Sequence, residues 1–310
     1  MKNWTVDDLP SQAGKTVVVT GANSGIGYHT ALELARKGAS VILACRNPAK
    51  AEDALKRLKA EVPGAKAELA ALDLSDLKSV RAFGAEFAAR GVPLDLLVNN
   101  AGIMAPLTRK ISSDGFEIQM ATNHLGHFLL TSLLLPALKR APAPRVVTVA
   151  SIAHRRGKIN FDDLMSDRRY IPWSAYASTK LANLLFAYEF QRRLDKSAAK
   201  LISVAAHPGV AMTKIVENGL GGGKSTVLTK ILGLFAPLFS HSEEAGAWPS
   251  LWAAAMPDVV PGGYYGPDGF REMTGFPVRV DSMPQSKDLA AAARLWELSE
   301  KLTGATYSGL

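Results

Sequence analysis

The stretch VVVTGANSGIGYHT, residues 17–30, runs from an apolar segment through a glycine-rich turn into an amphipathic segment. Gly21, Gly25 and Gly27 lie in this turn. Glycines between a strand and a helix allow a tight turn and let backbone N–H groups approach a pyrophosphate at the helix N-terminus, where the helix dipole favours anions. The spacing is TGxxxGxG rather than the GxGxxG of many dinucleotide-binding folds. Its place after the first strand predicts a dinucleotide site, with a purely structural turn as the alternative.

The rest of the chain alternates between short apolar runs and longer amphipathic stretches. Runs that are apolar on both faces are typical of buried parallel strands, and helices are the usual crossovers between them. The predicted strands are 16–20, 40–44, 67–72, 94–99, 145–150 and 201–206, and the predicted helices are 25–37, 49–61, 76–89, 116–138, 174–194 and 286–302. This alternation predicts an α/β protein with a doubly wound parallel sheet, helices on both faces and one domain over residues 1–310.

Three residues are placed to begin or end these helices. Gly38 follows the first helix and can close it, while Ser75 can cap the third helix. Asp114 lies near the start of the fourth helix, where an acidic side chain is favourable.

The composition narrows the class of protein. Apolar residues make up 47% of the 310 positions, which is enough for a large core. The single cysteine, Cys45, excludes an internal disulfide and favours a reducing compartment. The N-terminal residues show no secretory leader, and no apolar run reaches the roughly 18 residues that a membrane span requires. We therefore expect a soluble, cytoplasmic protein.

The net charge of +8 raises the question of nucleic-acid binding. The basic residues are scattered along the chain, whereas a nucleic-acid reader should show a concentrated stripe and a recognisable module. We expect no nucleic-acid partner. The positive field would instead help to attract an anionic cofactor.

The end of the second predicted strand distinguishes between two nicotinamide cofactors. NAD sites place Asp or Glu there for the ribose 2′-OH, whereas NADP sites use Arg for the 2′-phosphate. Here the strand is followed by Arg46, and no acidic residue precedes Glu52. Because a guanidinium offers a phosphate two donors, Arg46 favours NADP(H). The alternative is that Arg46 is a solvated loop residue.

The segment WSAYASTKLANLLF, residues 173–186, places Tyr176 one helical turn before Lys180. Residues four apart in a helix share a face, so these two side chains should meet. A lysine ammonium favours the phenolate and would lower the pKa of the tyrosine from its ordinary value of about 10. On this pair alone, an incidental contact on a surface helix is the simpler interpretation.

The motifs together resemble the short-chain dehydrogenase/reductase family. They are, in chain order, TGxxxGxG (glycines at 21–27), NNAG (99–102), Asn123 in NHLGH, Ser151 after the fifth strand, YASTK (176–180) and HPG (207–209). The segments ACR, NHLGHFLLT and KLANLLFAYEFQRRL are similar to the branch that holds retinol dehydrogenases, the WW-domain oxidoreductase and light-dependent protochlorophyllide reductase. The resemblance implies a Rossmann-type, mostly parallel sheet of seven strands.

The resemblance also implies roles for four catalytic residues. Tyr176 would be the general acid that protonates a substrate carbonyl oxygen, and Lys180 would lower its pKa and hold the nicotinamide ribose. Ser151 would bind the carbonyl oxygen, and Asn123 would support a water that leads protons to Lys180. With these neighbours in the sequence, the pair of Tyr176 and Lys180 is better explained as catalytic than as incidental.

The same resemblance implies a set of residues around the NADP(H) cofactor. They are Gly21, Asn23, Ser24, Gly25, Ile26, Gly27, Arg46, Asn47, Asp73, Leu74, Asn100, Ala101, Tyr176, Lys180, Pro208, Gly209, Ala211 and Thr213. Asp73 has an alternative role as a cap for the following helix.

Other patterns carry less weight. His124 and His127 share a helix face, but no third ligand completes a metal site, so we expect core packing and no metal. Residues 218–226 imitate a phosphate-binding loop without its first glycine, and we interpret them as a hinge. In this family, residues of about 211–260 would cover the substrate. The apolar segment 225–239 is then predicted to be a lid, with core or subunit packing and peripheral membrane contact as alternatives.

The sequence therefore predicts an NADP(H)-dependent oxidoreductase that interconverts a lipophilic aldehyde or ketone and its alcohol. Two alternatives remain open: a reductase of a carbon–carbon double bond, and an NADP-binding sensor without catalysis. Family members often pair through the helices near 116–138 and 174–194, which favours a homodimer or homotetramer.

Overall fold

A computed structural model describes residues 3–210 and 242–310. Within these ranges, eight strands form one sheet in the order β3-β2-β1-β4-β5-β6-β7-β8. The strands are β1 (Thr16–Thr20), β2 (Ser40–Cys45), β3 (Ala67–Ala71), β4 (Leu96–Asn99), β5 (Arg145–Val149), β6 (Ile202–Ala206), β7 (Tyr264–Pro267) and β8 (Pro277–Arg279). All neighbours pair in parallel except β7 and β8. The predicted doubly wound sheet is confirmed.

The strand count differs from the prediction of seven. The additional strand, β8, is three residues long and pairs antiparallel with β7 at the edge of the sheet. A strand this short carries too little periodicity to be recognised in a sequence.

Helices cover both faces of the sheet. They are α1 (Gly25–Arg36), α2 (Pro48–Glu61), α3 (Leu77–Ala89), α4 (Ile118–Met120), α5 (Gly126–Arg140), α6 (Pro172–Leu194), α7 (Glu243–Ala255) and α8 (Leu289–Thr303), with 3-10 turns at Val6–Asp8, Ile152–Arg156, Phe270–Glu272 and Pro284–Lys287. Successive side chains of a strand point to opposite faces. Val17 and Val19 accordingly join one apolar core with Leu32 of α1, while Val18 joins a second core with Phe128 of α5.

Two helix boundaries differ from the sequence prediction. Asp76, not Ser75, is the N-cap of α3, and its carboxylate accepts the N–H of Lys78. Ser75 instead donates to the carboxylate of Asp73. Asp114 does not cap the helix that follows it, because its carboxylate accepts the N–H of Leu77 at the start of α3. The sequence alone does not show which residue caps a helix, because several residues able to cap lie within a few positions of each helix start.

The helix predicted over 116–138 is interrupted. Between α4 and α5, residues Ala121–Leu125 form a π turn that contains Asn123. Single π turns inside helices occur frequently at functional sites, since the extra residue redirects the side chains that follow.

The segment after β6 is only partly described. The predicted hinge (218–226) and apolar segment (225–239) lie outside the described residues, as do Ala211 and Thr213. Over the part of the chain that the structure describes, no helix is both long and apolar enough to cross a membrane.

Candidate active site

Three glycines, Gly21, Gly25 and Gly27, lie where the turn after β1 leads into α1. Gly21 and Gly25 have φ of +67° and +57°, a region that glycine adopts without strain. Gly27 faces the end of β4: a Cβ there would lie 2.5 Å from the carbonyl oxygen of Gly21 and would also collide with the amide of Asn100. Asn100 is held in place by its own bond to the carbonyl of Thr20, at 2.8 Å.

A cavity of about 820 Å³ extends along the carboxyl ends of the central strands. This is the edge where doubly wound sheets bind their ligands. Sixteen of the eighteen predicted cofactor residues line it, and the other two are Ala211 and Thr213, outside the described residues. Those sixteen are Gly21, Asn23, Ser24, Gly25, Ile26, Gly27, Arg46, Asn47, Asp73, Leu74, Asn100, Ala101, Tyr176, Lys180, Pro208 and Gly209.

These residues fit an anionic dinucleotide. The glycine turn leaves room for a pyrophosphate. Two exposed basic residues also line the cavity: Arg46 directly after β2, and Lys50 in the first turn of α2. Asn47 has a structural role as well, because its side chain caps α2 by accepting the N–H of Lys50 at 3.0 Å. Asp73 lines the cavity, but it is not the cap of the following helix: its carboxylate accepts from Ser75, and Asp76 caps α3.

Ser151, Tyr176 and Lys180 come together along the same cavity, although β5 and α6 are far apart in sequence. Ser151 follows β5, and its Oγ accepts the N–H of Ala153 at 3.1 Å, which leaves the hydroxyl proton free to be donated. The phenol of Tyr176 is close enough to Ser151 for that side chain to favour the phenolate. The Nζ of Lys180 lies 5.7 Å from the centre of the Tyr176 ring and donates to the carbonyl of Val149 at 3.0 Å.

The electrostatics of this pair differ from the expectation. Burial raises the pKa of Tyr176 to about 12, although the hydrogen bond with Ser151 opposes the shift. Burial also lowers the pKa of Lys180 to about 8, since an ammonium loses hydration in the interior. The predicted lowering of the tyrosine pKa is therefore not found, because burial takes solvent from both groups and opposes the charge on each.

Asn123 lies behind the cavity and does not line it. From the π turn its side chain makes three bonds: it accepts the N–H of Ile103 at 2.7 Å and donates to the Ile103 carbonyl and to Thr179, both at 2.9 Å. Asn123 thus ties the loop after β4 to α6 near Lys180. Its predicted role in holding a water stays a prediction.

His124 and His127 are fully buried and hydrogen-bonded in the core. His127 accepts at Nε2 from the hydroxyl of Thr20, at 2.9 Å, and its Nδ1 bonds the carbonyl of Asn123 at 3.2 Å. His124 bonds Ser299 at 2.9 Å. Burial lowers the pKa of His124 to about 4 and that of His127 to about 3, so both are neutral near pH 7.

Several residues that line the cavity were not predicted. Trp173 is 45% exposed and packs against Tyr176 with ring centres 5.4 Å apart. Its position one turn before Tyr176 is a signal that the sequence already contained. Met273 lies almost one hundred residues further along the chain, and no local pattern marked it.

Buried His154 was also missed. Its Nε2 accepts the N–H of Met283 at 3.3 Å, so the proton is on Nδ1, which donates to the carbonyl of Ser151 at 2.7 Å. His154 thus holds the backbone of the candidate catalytic serine.

Comparison with curated proteins gives relatives at high identity. Retinol dehydrogenase 12 from Mus musculus is 43% identical over 293 residues, which are 94% of this chain and 87% of that protein. Retinol dehydrogenase 13 from Homo sapiens is 42% identical over 302 residues, 95% of this chain and 87% of that protein.

Comparison with solved structures agrees. The crystal structure of an uncharacterized protein from Mycobacterium Paratuberculosis aligns with a TM-score of 0.79 and 43% identity, covering 98% of this chain and 99% of that one. The model of the family described as short chain dehydrogenase matches residues 15–219. With its glycine turn, its Ser–Tyr–Lys group and these relatives, the chain belongs to the short-chain dehydrogenase/reductase family, in its retinol dehydrogenase branch.

Proposed function

We propose that the protein uses NADP(H) to interconvert a lipophilic aldehyde or ketone and its alcohol, with reduction as the preferred direction. One observation carries the proposal: Ser151, Tyr176 and Lys180 share a single cavity with the glycine turn and Arg46. The glycine turn would hold the pyrophosphate, and Pro208 and Gly209 would contact the carboxamide.

The side chains of the site suit reduction of a carbonyl. The bound cofactor supplies a hydride to the carbonyl carbon. Ser151 donates a hydrogen bond to the carbonyl oxygen and stabilises the negative charge that develops there. Tyr176 transfers its phenolic proton to the same oxygen, which completes the alcohol, and Lys180 stabilises the phenolate that remains. A tyrosine with a pKa of about 12 is protonated at neutral pH and is therefore ready to act as the acid.

A lipophilic substrate is supported by the apolar part of the cavity wall. Apolar side chains there come from separate parts of the chain: Met104, Ile152, Trp173, Val210 and Met273. Ligand sites for lipophilic molecules have such walls, with a few polar groups that orient the reacting atoms. Two curated relatives are named for retinol, an alcohol of this class.

Arg46 is the basis for proposing NADP(H), and Arg46→Ala tests it. We expect NADPH affinity to fall roughly ten- to hundredfold, since hydrogen bonds to charged groups contribute about 1.5–3 kcal/mol each. NADH affinity should change little, and Arg46→Asp should favour NADH. Fluorescence titration of the wild type and of both variants with each cofactor measures these affinities. Arg140→Ala, at an exposed arginine outside the cavity, controls for net charge; equal losses for NADPH and NADH would refute the assignment.

The pKa of Lys180 predicts the pH dependence of reduction. Because Lys180 has a pKa lowered to about 8, its ammonium is present below that pH and is lost as the pH rises through it. We expect kcat/KM for NADPH to decline above about pH 8, since kcat/KM reports groups of the free enzyme. The profile of Lys180→Arg, whose side chain stays charged, should lack this decline. A wild-type profile that stays flat through this range would contradict the role given to Lys180.

The first experiment is a turnover screen. Purified protein is mixed with NADPH and a panel of lipophilic aldehydes, ketones and enones, and NADPH oxidation is followed by absorbance. Oxidation with aldehydes or ketones supports the proposal, whereas oxidation with enones alone favours carbon–carbon double-bond reduction. Tight NADPH binding without turnover would favour a sensor.

A further inference from the structure

Three segments distant in sequence meet beside the candidate active site. They are the turn Ile152–Arg156 that follows Ser151, the loop 207–210 that follows β6, and the turn Phe270–Glu272. We propose that Glu272 is a positioning residue that holds the serine turn against the loop with Pro208 and Gly209. This inference rests on the proposed function, in which that loop contacts the nicotinamide half of the cofactor.

One carboxylate oxygen of Glu272 joins it to the loop after β6. The Nδ1 of His207 accepts the N–H of Gly209 at 3.2 Å, so the ring proton is on Nε2. Nε2 then donates to Oε2 of Glu272 at 3.0 Å. His207 is fully buried, and burial lowers its pKa, so the ring is neutral and the direction of this bond is set.

The second oxygen of Glu272 joins it to the serine turn. Oε1 forms an ion pair with Nη2 of Arg155 at 2.8 Å. The other arm of the same guanidinium, Nη1, donates to the carbonyl of Arg271 at 3.2 Å. Burial alone would raise the pKa of Glu272, but the bond from His207 and the charge of Arg155 leave it lowered overall, so the carboxylate is charged at neutral pH.

The backbone at Glu272 has an uncommon conformation. Arg271 and Glu272 have φ of +51° and +59°, and two consecutive residues other than glycine in this region are uncommon. Such conformations persist where the surrounding contacts over-determine them, and they cluster at functional sites.

Backbone contacts beside Glu272 leave little room for adjustment. Val210 donates its N–H to the carbonyl of Met273 at 2.9 Å. A Cβ at Gly209 would collide with that same carbonyl, and a Cβ at Gly266 would collide with His207.

These contacts make Glu272 a link and not a catalytic residue. Arg155 and Gly209 line the cavity, whereas Glu272 does not. Each carboxylate oxygen bonds one of the two segments that do. A shift of either segment is therefore transmitted to the other through one rigid group.

Binding of whole and half cofactors to Glu272→Ala tests the inference. The affinity for NADPH is compared with that for 2′,5′-ADP, which lacks the nicotinamide half. The affinities for NADH and ADP are compared in the same way, so that an error in the proposed preference for NADPH is distinguished from an error in the role of Glu272. We expect the affinity for NADPH to fall roughly tenfold, as for a lost hydrogen bond to a charged group. The affinity for 2′,5′-ADP should stay within about twofold. The readout needs no turnover, so it stands apart from the catalytic proposal.

Two further variants keep the test decisive. Glu272→Gln retains an acceptor for His207 and removes only the charge, so a smaller loss is expected even if Glu272→Ala does not fold. Glu189→Gln is the matched control: like Glu272, this carboxylate contacts two side chains, here Arg192 and Arg193, but it lies outside the cavity.

The linkage itself predicts non-additivity. Arg155→Ala combined with Glu272→Ala should weaken NADPH binding by less than the product of the two single effects, because both remove the same contact. Equal losses for NADPH and 2′,5′-ADP, or no loss for either in both Glu272 variants, would overturn the proposal. A loss of NADPH affinity in Glu189→Gln that spared 2′,5′-ADP would overturn it as well, because this carboxylate lies outside the cavity.

Discussion

Tyr176→Phe is expected to abolish turnover and to leave NADPH binding intact. The substitution removes only the phenolic oxygen, and with it the proton that the carbonyl oxygen needs. General acid catalysis typically contributes about 10²–10⁴-fold in rate, so kcat should fall by at least that range. NADPH affinity should remain within a few-fold, because the ring still fills its place beside Trp173. Steady-state kinetics and cofactor titration on the same preparation measure both quantities.

Tyr188→Phe is the matched control for this prediction. Tyr188 lies on α6 like Tyr176, and its hydroxyl also hydrogen-bonds a serine, Ser282, at 2.9 Å. The variant therefore loses the same atom from the same helix away from the cavity. Turnover should be near the wild-type value. Activity retained in Tyr176→Phe would show that another group supplies the proton.

Gly27→Ala is expected to cost most of the cofactor affinity. The added methyl would lie 2.5 Å from the carbonyl oxygen of Gly21, and backbone atoms of a tight turn cannot move away cheaply. Overpacking of this kind costs about 1–3 kcal/mol, and displacement of the turn should weaken NADPH binding by roughly ten- to hundredfold. Cofactor titration gives the affinity, and thermal unfolding without cofactor gives the accompanying loss of stability.

Gly84→Ala separates affinity from stability. Gly84 lies in α3, where an added methyl would lie 2.8 Å from Cβ of Leu133, so this variant is also overpacked inside a helix. Its Tm should fall, but NADPH affinity of the folded protein should not change. If Gly27→Ala lowered only Tm in the same way, the turn would be structural and would not be a cofactor site.

The sequence predicted the parts of the fold that local patterns encode. The six predicted strands and the helices between them lie within a few residues of their observed positions, because burial on both faces of a strand and the helical period both appear in short windows. What it missed depends on tertiary contacts. β8 is recognised through its pairing with β7, and Asn123 in the π turn bonds Ile103 and Thr179, which lie 20 and 56 positions away.

The candidate site divides in the same way. The glycine turn and the Tyr176–Lys180 pair have fixed local spacing, so they could be recognised. The contacts of Glu272 with His207 and Arg155 join residues 65 and about 117 positions apart, and no spacing rule connects them. The pKa of Tyr176 was predicted to be lowered, because the helical spacing shows a neighbouring charge. The pKa is raised instead, because burial removes solvent from both groups, which a spacing does not show.

The short antiparallel strand at the end of the sheet has a consequence for colloidal behaviour. An open edge offers unpaired N–H and C=O groups on which another chain can assemble. β8 is only three residues long, begins with Pro277, which lacks an N–H donor, and ends with the charged Arg279. Brevity, proline and charge are the features by which natural sheets discourage such growth. This edge is thereby protected against intermolecular strand addition and the aggregation that it seeds.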